Sequence, residues 1–155
     1  MEIIFFKRLG SKNIISFKRD GLKEEWIEAD NFLILHDLSH YIIETTLKFK
    51  KAFWGLIKEG ANPKDFEDKG LREKLLISNE AWYAECMANL FLMEYHQGRF
   101  ENFNEVLSTC ILETNRDLPK FEINPIELNS IRIQYAEIIE RWKKLPQEEK
   151  LILPF

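Results

Sequence analysis

The chain has 155 residues, 45% of them apolar and 13% aromatic, enough to bury a sizeable core as a single domain (residues 1–155) without covalent staples. Its 22 basic and 26 acidic residues leave a net charge of −4, which argues against a binder of nucleic-acid phosphates. Two cysteines, Cys86 and Cys110, rule out a disulfide framework, and no apolar run approaches the roughly 18 residues of a membrane helix.

The first thirty residues predict strands. Ile3 to Phe6 form a short β-rich run closed by Gly10-Ser11. In the run Ile14 to Arg19, Ile15 and Phe17 alternate with polar neighbours. Asp20-Gly21 favours a type I′ hairpin turn, whose two central residues both need positive φ. Trp26 and Ile27 lie on a third strand at most, so residues 1–29 read as a two- or three-stranded antiparallel meander.

Residues 30–155 read as helical, and the class is α+β. From Leu33 to Lys58 there is no proline and apolar residues fall at helical spacing, as one helix or as two broken near Lys48–Lys51. Gly60 ends the stretch as a C-cap. Asn62-Pro63-Lys64-Asp65 opens a short helix closed by Gly70, with proline at its first position. Ser78 or Asn79 caps a helix running to about Gln97. Phe103, Val106, Leu107, Cys110 and Ile111 mark an amphipathic one. Asn124-Pro125 opens the last helix, with the stripe Leu128, Ile131, Tyr135, Ile138, Trp142 and Leu145. The tail Leu151–Phe155 is too apolar to be left in water and docks on its own domain or on a partner, a homodimer being one such arrangement.

The clue to chemistry is His36-Asp37-Leu38-Ser39-His40-Tyr41-Ile42-Ile43-Glu44. His36, His40 and Glu44 are four apart and form a row on one helix face, so two imidazoles can reach one metal ion from the same side. The bland alternative keeps both histidines in the core and pairs Glu44 with Lys48 on a solvated face. A further ligand is offered by Ala81 to Met93, an apolar run whose two strongly polar side chains are Glu85 and Asn89. A helix apolar all round is buried, and a carboxylate inside it needs a cationic or hydrogen-bonding partner. Ala81, Ala84 and Ala88 make a seam along which the histidine helix can pack, bringing Glu85 to His36 and His40.

Glu80, in the first turn, is a weaker candidate because the helix dipole favours an acid there anyway; His96, in the last turn, is favoured by the opposite end. Cys86 and Cys110 read as buried, inert thiols. Trp54 and Trp82 fall near the candidate site. Lys48, Lys50 and Lys51 read as a solvated face.

Phe32 through Glu44, followed by Phe53-Trp54-Gly55-Leu56-Ile57-Lys58-Glu59-Gly60, resembles an uncharacterised bacterial family with a strand-rich start, an H-D-L-x-H-Y-x-x-E helix and an aromatic-x-G-L segment. The likeness spans about the first two-thirds of the chain and implies no established activity. His36-Asp37-Leu38-Ser39-His40 is also similar to the H-E-x-x-H motif of gluzincin-type zinc metalloproteases, and Asn79-Glu80-Ala81 to their downstream acid motif. Asp37 stands where those enzymes place the glutamate that acts as general base.

The expectation is a divalent ion, zinc first and iron or manganese next, held by His36, His40 and Glu85 with Glu44 in support. Asp37, Glu44 or Glu80 would take a proton in metal-dependent hydrolysis of a small molecule or peptide. The rival is a non-enzymatic interaction module with the histidines in its core. The opening Met-Glu-Ile-Ile-Phe-Phe-Lys-Arg is too short in apolar residues for a signal peptide, so the expected location is cytoplasmic, with no nucleic acid or membrane as partner.

Overall fold

A computed structural model describes residues 1–66 and 68–155, with the side chains of residues 69 and 72 left aside. Three strands come first, β1 (Glu2–Phe6), β2 (Asn13–Lys18) and β3 (Glu25–Ala29). They pair antiparallel, with Ile3 opposite Phe17 and Ile15 opposite Ile27. The turn after β2 departs from the type I′ expectation. Six residues separate β2 from β3, Leu22 N–H donates to Arg19 O, and only Gly21 of the central pair has positive φ (74°). That is the pattern of a type II turn, which needs glycine at its third position alone.

The chain's last segment, β4 (Lys150–Pro154), joins the same sheet beside β1, giving the order β3-β2-β1-β4. Ile3 faces Leu153 and Phe5 faces Leu151. Of the two destinations open to the tail, its own domain is the one it takes, and the β portion is therefore not confined to residues 1–29. Alternate residues of β1, β2 and β4 (Ile3, Phe5, Ile15, Phe17, Leu151 and Leu153) are buried on one face.

That face is covered by α1 (Asn31–Leu47), α2 (Phe53–Glu59) and α6 (Pro125–Lys144). Phe5 meets Trp54 and Trp142 edge-on, at 6.3 and 6.5 Å between ring centroids. The long stretch of helical spacing is two helices. Lys48 adopts the left-handed conformation (φ 57°) and its N–H returns to Glu44 O, ending α1. A single turn of 3-10 helix (Pro63–Phe66) precedes α3 (Lys69–Leu75). Gly70 lies inside α3 instead of closing the preceding helix, because proline starts only that one turn.

Helix α4 (Asn79–Gln97) is capped by Ser78, whose hydroxyl accepts from Ala81 N–H. Ala81, Ala84 and Ala88 are all buried, and α1 packs on α4 as the small-residue seam predicts. The helix is not buried all round: Asn89 is exposed and Met93 is 41% exposed, so an open stripe runs past Glu85. α5 (Phe103–Glu113) packs on α4. Asn124 caps α6 with Pro125 in its first turn, and its buried stripe is Ile131, Tyr135, Ile138, Ile139 and Trp142. The architecture is α+β, and no helix among the described residues is long and apolar enough to cross a membrane.

Candidate metal centre

Packing of α1 on α4 brings His36, His40 and Glu85 together. Nε2 of His40 lies 3.2 Å from Glu85 Oε2, and Nε2 of His36 lies 3.7 Å from Glu85 Oε1. Ligating atoms of all three fall within 4.8 Å of one another, so this group can hold a metal ion. Two donors on a tetrahedral ion with bonds of ~2.1 Å stand about 3.4 Å apart. The two nitrogen–oxygen separations bracket that value.

Behind each ring stands a second carboxylate. Asp37 Oδ1 is 3.4 Å from His36 Nδ1, and Glu44 Oε1 is 3.4 Å from His40 Nδ1. Outer carboxylates of this kind orient a ligating imidazole and fix the tautomer that leaves its other nitrogen free. The Glu44 contact is charge attraction without hydrogen-bond alignment. Accordingly, the buried side-chain polar atoms with no hydrogen-bond partner among the described residues are His40 Nδ1 and Asp37 Oδ2. Folded proteins leave few such atoms, and both of these fall at one place.

Charge follows the same geometry. Burial opposes a proton on His40, but Glu44 and Glu85 outweigh it and raise its pKa to about 10. Burial opposes a proton on His36 as well, and the contacts with Asp37 and Glu85 more than offset it, so its pKa too is raised. Burial pushes the Glu85 carboxyl up, yet the two imidazoles prevail and hold it well below the usual carboxylate range. Asn89, one turn on, donates its side-chain N–H to Glu85 Oε1 at 3.2 Å, which accounts for the second polar residue of the apolar run.

Glu44 has a role that the helical row does not reveal. Its Oε1 accepts Trp54 N–H at 3.1 Å and its Oε2 accepts Gly55 N–H at 3.0 Å. Ala52 precedes α2 with no side chain able to cap it, and the buried Glu44 does so from a distance. The solvated Glu44–Lys48 pair is therefore not formed. Gly55 is needed for a second reason: a Cβ there would run into the Lys50 carbonyl. Trp54 completes the link by donating its indole N–H to Asp37 O at 3.1 Å.

Glu80 is not part of the group. Its Oε2 accepts Lys50 and Lys51 N–H, both at 2.8 Å, and so holds the break between α1 and α2. His96 is exposed in the last turn of α4. Cys86 is buried and Cys110 half-buried, both as free thiols.

A cavity of about 320 Å³ lies against the group, with His36, Asp37, His40 and Glu85 in its lining. Its walls include Phe53 and Trp82, and also Phe66 and Leu76, which helical spacing does not single out because they come from short segments. The Glu85 side chain is 40% exposed while that of His40 is 3% exposed, so the group sits at the margin of the core and opens past Glu85. Comparison with known proteins finds no matching family model, no matching curated protein and no matching solved structure.

Proposed function

We propose that the protein is a metal-dependent hydrolase whose divalent ion, zinc first and iron or manganese next, is held by His36 Nε2, His40 Nε2 and Glu85. One observation carries the reading: both imidazoles aim Nε2 at the same carboxylate while a separate acid faces each Nδ1. Three protein ligands leave a coordination position open, the pattern of catalytic sites as opposed to closed structural ones. A divalent ion there acidifies water toward neutrality and polarises a carbonyl oxygen.

The chain's own residues divide the remaining work. Water adds across the scissile bond, its oxygen to the carbonyl carbon and its hydrogens shared between the acid formed and the leaving group. Asp37 lines the cavity and is the one of the three acids that holds no backbone N–H among the described residues, so the proton is assigned to it. Glu44 has both oxygens committed to α2, and Glu80 is committed to the Lys50–Lys51 backbone. The likeness to H-E-x-x-H supports a metal at the histidine pair, with aspartate in the glutamate's place. Free thiols at Cys86 and Cys110 fit a cytoplasmic setting.

Cobalt titration tests the assignment. Wild-type protein gives the visible absorption of a low-symmetry cobalt site at one ion per chain, and the His36→Ala, His40→Ala double variant, still folded by circular dichroism, gives none. Equal cobalt uptake by the double variant refutes the site. The rival reading, an interaction module with an ionic cluster in its core, draws on the direct imidazole–carboxylate contacts. It calls for a folded wild type that takes up no metal at all.

A further inference from the structure

The shape and lining of the cavity narrow the substrate class, an inference that rests on the metal centre proposed above. At about 320 Å³ it falls near the lower end of small-molecule sites, about 300–1,000 Å³. Its apolar walls include Ile27, Leu33, Phe53, Phe66, Leu76 and Trp82, and its ionisable side chains are His36, Asp37, His40 and Glu85, which contact one another. Polarity is thus confined to the metal group and to the acid behind it.

Among the described residues no lysine or arginine lines the cavity. A dication with both imidazoles neutral is already balanced by Glu85 and Asp37, and Glu44 behind His40 adds a further negative charge. A phosphate dianion brought to this group meets no lysine or arginine in the cavity lining and has to shed its water against apolar walls, which is unfavourable. A neutral carbonyl group loses little by the same move and gains the ion as its polariser. The ring of Phe53 stands edge-on to that of Phe66, 4.9 Å between centroids, leaving an aromatic surface for a flat or branched body.

We propose that the site takes a small uncharged amide or ester with an aromatic or branched-alkyl body. The carbonyl lies toward His36, His40 and Glu85, and the body lies among Phe53, Phe66, Leu76 and Trp82. Phosphate monoesters are excluded.

The test applies three probes, benzamide, acetamide and phenyl phosphate, to the zinc-loaded and the metal-free protein, and titrates zinc into the metal-free one. Binding is followed through the methyl resonances of Ile27, Leu33 and Leu76. With zinc bound, benzamide is expected to shift these methyls and to bind at least about tenfold tighter than acetamide or phenyl phosphate. In the metal-free protein benzamide still shifts them, more weakly. Trp82→Ala and, separately, Phe66→Ala keep one zinc per chain and lose the preference for benzamide over acetamide. A zinc-loaded protein that binds phenyl phosphate as tightly as benzamide, or acetamide as tightly as benzamide, overturns the proposal and leaves the metal centre standing. A protein that takes no zinc but prefers benzamide upholds the apolar cavity and refutes the metal centre.

Discussion

Replacing Glu44 by glutamine separates its two duties and puts a magnitude on each. The carboxylate accepts N–H bonds from Trp54 and Gly55 on two different oxygens and faces His40 Nδ1. Glutamine keeps one acceptor oxygen, so one of the two backbone bonds survives, while its amide NH₂ is set against the other N–H. Hydrogen bonds to a charged group contribute about 1.5–3 kcal/mol each, and leaving a buried donor unpaired costs a similar amount. The expected loss is about 2–4 kcal/mol. At about 2–4 °C per kcal/mol for a chain of this size, the thermal midpoint falls by about 4–16 °C. Because the Glu44 charge also faces His40 Nδ1 at 3.4 Å, zinc affinity is expected to fall, by up to the roughly 10- to 100-fold that losing an outer carboxylate costs. Thermal melts by circular dichroism with and without zinc, together with a competitive zinc titration, measure both. A Glu44→Gln protein that melts within a degree of wild type and binds zinc equally well refutes the role assigned to this residue.

Glu80→Ala removes the acceptor for Lys50 and Lys51 N–H and is expected to lower stability by about 1–2 kcal/mol, read by urea unfolding, while zinc stoichiometry and hydrolysis remain. A loss of hydrolysis with stability intact would return Glu80 to the chemistry. His40 has its pKa raised from 6.5 to about 10, so its proton stabilises the metal-free fold fully below pH 6.5, and that stabilisation is lost as pH rises through about 10. The metal-free melting temperature should fall across that interval. Zinc must displace the same proton, so adding zinc in weak buffer at pH 7.5 releases about one proton or more per ion; no release contradicts the assignment. Deleting residues 151–155 strips β4 from β1 and uncovers Ile3 and Phe5, so loss of folding is expected; a stable monomer with an unchanged melt would be inconsistent with the sheet order.

The site was more legible in the sequence than the frame around it. His36 and His40 at i, i+4 and Glu85 as the acid of an apolar run are local signals, and the alanine seam said how their helices approach. Glu44 was legible as a member of the row but not as the cap of α2, since that role depends on a chain reversal at Lys48. A lysine in the left-handed conformation carries little sequence signature. The one available hint is negative: Ala52 cannot cap the helix that follows it. β4 escaped for a different reason. Its pairing with β1 joins residues about 150 apart along the chain, and no local pattern reports a partner so distant. The cavity walls from Phe66 and Leu76 come from segments too short to show periodicity.

Everything said of the chemistry depends on whether an ion occupies the group formed by His36, His40 and Glu85. Elemental mass spectrometry on protein purified without a histidine tag or chelator asks this directly. The account predicts about one zinc, iron or manganese per chain in wild type and none in the folded His36→Ala, His40→Ala variant. Wild-type protein without metal, which also takes none up when zinc, iron and manganese are offered, would contradict it and return both histidines to the core.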